Sequence, residues 1–241
     1  MAVDVALMER ARLTGEHVFR TYGWSCPTLS LGRNQAARDR YDLTRLEQRK
    51  VDVVRRPTGG RSILHWRELT YSVAAPVEST PAARAIYATI NEMILRALLR
   101  LGIEAEIARS RTARQPDQHP CFAEPGDGEI MAQAAGGRGK LVGSAQYLEN
   151  GALLQHGSIL LHDDQPLLLE LMGRGAAQTH AVSVSGTLGR DVSRSEVADA
   201  LLETVRLSSQ GRADTLERDE VCTQAEAHVA LFRDPLWTWR R

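Results

Sequence analysis

The dipeptide Asn150-Gly151 divides two runs, KLVGSAQYL on one side and ALLQHGSILLH on the other. Asn-Gly is a strong hairpin signal, because both residues accept the positive φ that a two-residue turn requires. Both runs read as strands, so this part of the chain is committed to an antiparallel ribbon. EIMAQ, a few residues upstream, reads as the strand before it. A helix is written as clearly in TPAARAIYATINEMILRALLRL, from Thr80 to Leu101. There Ile86, Ile90, Ile94, Leu98 and Leu101 recur at helical spacing. Thr80 can cap the start, Pro81 suits the first turn and Gly102 ends the helix.

The remaining segments mix types irregularly. VDVALMERARL reads as a short amphipathic helix, and HVFRTY and PTLSLGR as strands split by the turn-rich GWSCP. DLTRLEQRK reads as helix, and VDVV, ELTYSVA and IEAEIA as strands. RSRTARQPDQHP is polar and reads as an exposed loop, whereas DDQPLLLELM and the segments 193–207 and 220–232 read as helices. No repeat, low-complexity linker or boundary interrupts the chain. The expectation is an α+β fold, a mostly antiparallel sheet flanked by helices, in a single domain over residues 1–241.

Charge narrows the function. Lys+Arg and Asp+Glu are both 30, giving a net charge of zero. That balance argues against bulk nucleic-acid binding, which draws its affinity from a basic surplus that displaces counterions. No apolar run approaches the roughly 20 residues of a membrane helix. The start, MAVDVALMERAR, lacks the basic-then-apolar pattern of a secretory signal, so a cytoplasmic protein with no membrane partner is expected. Cys26, Cys121 and Cys222 are widely spaced, with no C-x-x-C pair, so neither a disulfide framework nor a structural zinc site is expected.

The densest chemistry lies in RRPTGGRSILHWRELTYS, Arg55 to Ser72. Its Thr58-Gly59-Gly60-Arg61 lacks the G-x-x-x-x-G-K-[ST] pattern of a phosphate loop. A second cluster, Gly136-Gly137-Arg138-Gly139-Lys140, is followed by Leu141 where a magnesium-binding hydroxyl is needed. Glycines do let a backbone approach a ligand closely and leave N–H groups free to bond an oxygen. His65 and His156 have no second histidine or carboxylate at metal-ligand spacing, and a lone histidine in a strand is more often structural. Cys26 and Cys222 fit the inert small hydrophobe that a lone cysteine usually is. Cys121 differs, sitting between Pro120 and Phe122 beside His119, with several arginines upstream. A positive setting favours the thiolate, which is the nucleophile.

Taken in order, these segments resemble the lipoate-protein ligase and octanoyltransferase family, within the group that includes biotin protein ligases. RRPTGGRSILHWRELTYS is similar to the family's most recognisable motif, KLVGSAQ and LQHGSILL to its second and third, and GWSCPTLSLGRNQ and MAVDVALME to further segments. The resemblance spans nearly the whole chain. The Cys121-Phe122 pair upstream of the lysine motif is the pattern of the transferases that move an octanoyl group from acyl carrier protein to a lipoyl domain. Three features depart from the family. Met1 stands where the segment after the usual first strand begins, Gly139 separates Arg138 from Lys140, and the stretch from Cys121 to Lys140 is longer than usual.

The resemblance implies a single biotin/lipoate ligase-like domain. Its catalytic residues would be Cys121, which carries the octanoyl group as a thioester, and Lys140, which favours the thiolate. A substrate wall would be built by Arg56, Thr58, Gly59, Gly60, Arg61, His65 and Tyr71, facing Gly143, Ser144, Ala145, His156 and Gly157. Octanoyl-acyl carrier protein would be the donor, and a lipoyl domain or glycine-cleavage H protein the acceptor, with Arg55, Arg56 and Arg61 attracting those acidic partners. No cofactor is implied, because a thioester is already activated. Two rival readings stand beside this one: an ATP-dependent lipoate ligase, and a non-catalytic relative that only docks lipoyl or carrier domains.

Overall fold

In the computed structural model, residues 1–108, 122, 128–173, 179–209 and 213–240 are described. Helix α1 (Ala2–Thr14) leads into strands β1 (Val18–Tyr22) and β2 (Thr28–Leu31), helix α2 (Leu43–Gln48), and strands β3 (Asp52–Arg55), β4 (Ile63–His65) and β5 (Glu68–Pro76). Helix α3 (Thr80–Arg100) follows, then strands β6 (Ala105–Ile107), β7 (Ile130–Ala134), β8 (Gly137–Glu149) and β9 (Ala152–Leu160). The chain ends in helices α4 (Gln165–Leu171), α5 (Val184–Leu188), α6 (Arg194–Ser208), α7 (Arg218–Arg233) and α8 (Pro235–Thr238).

The Asn-Gly turn forms as expected, with φ of 50° at Asn150 and 80° at Gly151. It pairs β8 with β9 from Glu149 opposite Ala152 to Val142 opposite Ile159. That hairpin is the centre of a six-stranded sheet in the order β1-β5-β9-β8-β7-β6, antiparallel throughout. The α+β class holds. A single sheet does not: β3, β2 and β4 form a second, three-stranded sheet in which β2 and β3 run parallel. Strand β4 went unread because it lies inside the Gly-rich stretch, where the turn residues mask three strand-forming positions.

Alternation along the strands decides what each face covers. Leu69, Tyr71 and Val73 of β5 and Ile159 of β9 join Ile90, Ile94 and Leu98 of α3 and Val197 and Leu201 of α6 in the main core. The other face, through Ala74 and Leu154, packs Leu7, Met8 and Ala11 of α1. Leu29, Leu31 and Leu64 of the small sheet pack with Tyr41, Leu46, Leu168 and Leu171 in a core of their own. Between the second face of the large sheet and the small sheet a cavity remains.

Helix α3 starts one residue earlier than its sequence suggested. Ser79, not Thr80, is the cap: its carbonyl accepts the first helical bond from Ala83 at 3.0 Å, and its hydroxyl accepts from the Ala82 N–H at 3.3 Å. The far end is as expected, with Gly102 at φ 85°. Among the described residues, no helix is long and apolar enough to cross a membrane.

Ile94 and Leu98 are the most buried described residues of the helical stripe, each at 1% exposure. Ile94→Ala removes its side chain from the contact between α3 and the sheet. It should cost about 2–5 kcal/mol. Urea denaturation checks this: the midpoint should fall while the slope stays unchanged.

Candidate active site

The cavity has a volume of about 390 Å³. Its floor is a row of paired residues running across the large sheet: Gly143 opposite Ser158, Ser158 opposite Thr70, and Thr70 opposite Tyr22. All four line the cavity. With strands about 4.8 Å apart, three strand spacings give the floor a span of about 14 Å. Ala145 and His156, the next paired row on that face, line it too.

The opposite wall is built by two loops that touch through their backbones. A Cβ at Gly32 would lie 1.9 Å from the Gly60 carbonyl oxygen, so only glycine fits at Gly32. Gly60 itself has φ 93°, a conformation that favours glycine. The Arg56 guanidinium shapes this turn from within. It is 4% exposed and donates to the Ser30 carbonyl (2.9 Å), the Thr58 hydroxyl (3.1 Å), and the Gly59 (2.8 Å) and Arg61 (2.7 Å) carbonyls. Gly59, Gly60, Arg61 and Arg56 line the cavity. Thr58 does not; it is fully buried, with its hydroxyl 2.6 Å from His156 Nε2.

Arg56 donates to the Thr58 hydroxyl, which lies 2.6 Å from His156 Nε2, and His156 Nδ1 faces Asp4 at 3.8 Å. Burial lowers the His156 pKa and keeps the ring neutral, although Asp4 opposes that shift. Burial alone would raise Asp4, but the chain-terminal ammonium, His156 and Arg20 outweigh it and hold the carboxyl well below the usual carboxylate range.

His65 also lines the cavity. Its Nδ1 is 2.7 Å from Glu68 Oε1 and 3.2 Å from the Ser158 hydroxyl, and Trp24 stacks on its ring at 4.4 Å. Thr70 donates to Glu68 at 2.6 Å and accepts from the Trp24 indole at 2.8 Å. The hydroxyls of the floor are thus turned to neighbouring groups. Burial alone would raise the Glu68 pKa, but His65, Ser158 and Thr70 hold it down. Tyr71 lies on the other face of the sheet. Its hydroxyl is 2.6 Å from Ser144 Oγ and accepts from Gln155 at 3.1 Å, and burial pushes its pKa up. A Cβ at Gly157 would sit 2.5 Å from the Tyr71 ring, so Tyr71 backs the wall and does not line it.

Lys140 sits where β8 breaks its alternation. Ile130 pairs with Val142 and Met131 with Lys140, leaving Leu141 as a bulge. Leu141 and Val142 both enter the main core, which puts Lys140 and Gly143 on the cavity side. The Lys140 ammonium is fully buried, donates to Glu129 Oε1 at 2.7 Å and lies 4.4 Å from the Phe122 ring centroid. A Cβ at Gly143 would be 3.1 Å from Lys140 Nζ. The amine therefore stands behind Gly143 and Glu129, which line the cavity. Gly139 has its own reason. The backbone of residues 180–182 bonds Lys140 on both sides, and a Cβ at Gly139 would be 2.6 Å from the His180 oxygen. Cys121 lies outside the described residues; Phe122, one peptide bond away, is fully buried.

Three expectations need correction. Arg55 is fully buried, donating to the carbonyls of Thr238 (2.8 Å), Gly32 (2.6 Å) and Gln35 (2.8 Å), so it presents no charge to a partner. Arg56 is likewise turned inward, and only Arg61 of the three is half-exposed. Cys222 is exposed and Cys26 half-buried, with its thiol on Asp52 Oδ2 at 3.1 Å, so neither acts as a core hydrophobe. Asn34, Gln35, Glu129, Thr70 and Ser158 line the cavity without having been expected. Thr70 and Ser158 carried a signal: period-2 alternation puts Ser158 on the face of His156.

Comparison with known proteins gives consistent relatives. The model of the lipoyl protein ligase A/B catalytic domain matches residues 1–206. Octanoyltransferase LipM of Kyrpidia tusciae is 37% identical over 266 residues, spanning 100% of this chain and 94% of its own. That of Anoxybacillus flavithermus is 34% identical, spanning 100% and 93%. Among solved structures, a bipartite lipoate protein ligase from Thermoplasma acidophilum aligns with TM-score 0.75 at 21% identity, over 99% of this chain and 89% of its own. A lipoate-protein ligase A bound with ATP aligns with TM-score 0.78 at 23% identity, over 99% and 92%. At such identities the structures attest the fold.

The neutral His156 ring has a pH consequence. Its pKa is lowered from 6.5 by folding, so its contribution is full above that value and is lost as pH falls below it towards the folded value. Stability should therefore drop more steeply as pH falls from about 7 through 6.5 than in a His156→Asn variant. Urea midpoints measured across that range check it; parallel curves would rule it out.

Proposed function

We infer the reaction from one premise: this chain belongs to the lipoyl protein ligase A/B catalytic domain family. Its activity is octanoyl transfer in protein lipoylation, onto proteins that carry lipoyl domains. The proposed donor is octanoyl-acyl carrier protein, and the proposed acceptors are a lipoyl domain or the glycine-cleavage H protein. Cys121 is the proposed nucleophile. One observation carries that reading: the buried Lys140 ammonium lies against Phe122, the residue joined to Cys121. A cation near a thiol favours the thiolate.

In the first step the Cys121 thiolate attacks the thioester carbonyl. A new carbon–sulfur bond forms, the donor's carbon–sulfur bond breaks, and the carrier thiolate leaves and takes a proton from solvent. In the second step the neutral amine of the acceptor lysine attacks the acyl-enzyme. A carbon–nitrogen bond forms, Cys121 departs as thiolate, and the amine's proton passes to solvent. Lys140 opposes the negative charge that develops on the carbonyl oxygen in both steps. The octanoyl chain lies across the floor from Gly143 towards Tyr22, beneath the Gly59-Gly60 turn. No step calls for ATP. A nucleophilic thiol needs a reducing compartment, which supports the cytoplasm as the site of the reaction.

Incubation with octanoyl-acyl carrier protein, without ATP or acceptor, should add one octanoyl mass to the Cys121 peptide. Hydroxylamine should remove it, and a lipoyl domain should discharge it onto a lysine. Cys121→Ala should lose adduct and transfer, whereas Cys26→Ala and Cys222→Ala should keep both. If Cys121→Ala still modifies the lipoyl domain when given ATP and free octanoate, the protein is a ligase. Lys140→Ala should slow acylation by about a hundredfold and raise the pH at which Cys121 is alkylated. An unchanged alkylation profile would remove Lys140 from this role.

A further inference from the structure

We propose that the C-terminal segment Asp234–Arg240 is a positioning element of the acyl site, holding the cavity wall through Arg55. The proposal rests on the reading of the cavity as the acyl site. The segment lies beyond residues 1–206, the part matched by the family's catalytic domain, yet it is tied to the loop that forms the wall.

The bonds run both ways. Arg55 Nε donates to the Thr238 carbonyl at 2.8 Å, and the Trp237 indole N–H donates back to the Arg55 carbonyl at 3.0 Å. The same guanidinium holds the Gly32 and Gln35 carbonyls through Nη1. Gln35 and its neighbour Asn34 line the cavity, and Gln35 Oε1 accepts from the Gly32 N–H at 3.1 Å. One buried cation therefore joins the tail to the wall.

A second set of contacts clamps the loop from outside. The Arg33 guanidinium lies 4.5 Å from the Tyr147 ring centroid and 5.9 Å from that of Trp237. Arg240 covers the Trp237 ring at 4.0 Å and donates to the Arg33 carbonyl. Arg38 donates to the Trp239 carbonyl at 2.9 Å. The loop's backbone thus faces the acyl cavity on one side and the tail on the other. Lys140 and Glu129 stand on the large sheet, outside this network.

That separation makes the proposal testable. Binding of octanoate and decanoate is measured by calorimetry, and Cys121 alkylation is followed against pH. Trp237→Ala should weaken octanoate about tenfold, the effect of losing about 1.4 kcal/mol of positioned contact, and should change the ratio of the octanoate and decanoate affinities. The alkylation profile should not move. Trp237→Phe keeps a ring between Arg33 and Arg240 but loses the bond to Arg55, and should show a smaller loss in the same direction. A merely structural tail would lower the melting temperature without changing the ratio of the two affinities in the folded fraction. If Trp237→Ala does not fold, Trp237→Phe decides. Folded variants that bind both acids as the unsubstituted protein does overturn the clamp alone. An unsubstituted protein that binds neither acid overturns the acyl assignment of the cavity, and this proposal with it.

Discussion

Two buried guanidinium groups on consecutive residues hold the site together. Arg55 and Arg56 sit where β3 runs out into the Gly-rich turn, and extended backbone sends successive side chains to opposite sides. Arg55 reaches the Gly32–Gln35 carbonyls and the tail; Arg56 reaches the carbonyls of its own turn and of Ser30. Burying a guanidinium is costly unless its donors find acceptors, and here the acceptors are mostly main-chain oxygens. The wall is therefore shaped by cation-to-backbone bonds, where a sheet would use its ladder. Lysine in either place would keep the charge but lose the planar fork that bonds several carbonyls at once.

Lys140 and Glu129 are buried for another reason. A buried ion pair is weak evidence for stability, because desolvating both charges offsets their attraction. What the pair supplies is a fixed ammonium in a dry place. The bulge at Leu141 is the device that puts it there: were Leu141 an ordinary ladder residue, alternation would place Lys140 on the same face as Val142. An ammonium has three donors, and Glu129 takes one of them.

Much of this was legible in the sequence where local chemistry alone decides the outcome. The Asn150-Gly151 turn and the α3 stripe depend on φ preference and on period, and both formed as read. The cavity-facing glycines near His156 and Lys140 followed from the motifs. What failed depended on distance in three dimensions. Arg55 looked like a surface cation because its acceptors, at Gly32, Gln35 and Thr238, are far away in sequence. Gly32 gave no sign that the Gly60 carbonyl would press on it. Tyr71 shares a strand with Thr70, and only the pairing register shows that one backs the wall while the other floors the cavity. Asp4 sits in a helix that reads as ordinary, yet its carboxylate faces a neutral histidine on β9.

The floor of the cavity runs at right angles to the strands, and this changes the unit in which its length is set. Along a strand, one inserted residue adds about 3.3 Å but flips every following side chain. Across the sheet, length comes in steps of one strand, about 4.8 Å each. A row from Gly143 to Tyr22 crosses four strands, and at the β1 end it grows only if another strand joins that edge. Loop insertions and strand extensions, the commonest changes a lineage accumulates, leave that dimension untouched. The width of this floor is quantised by topology, while chain length is free to drift.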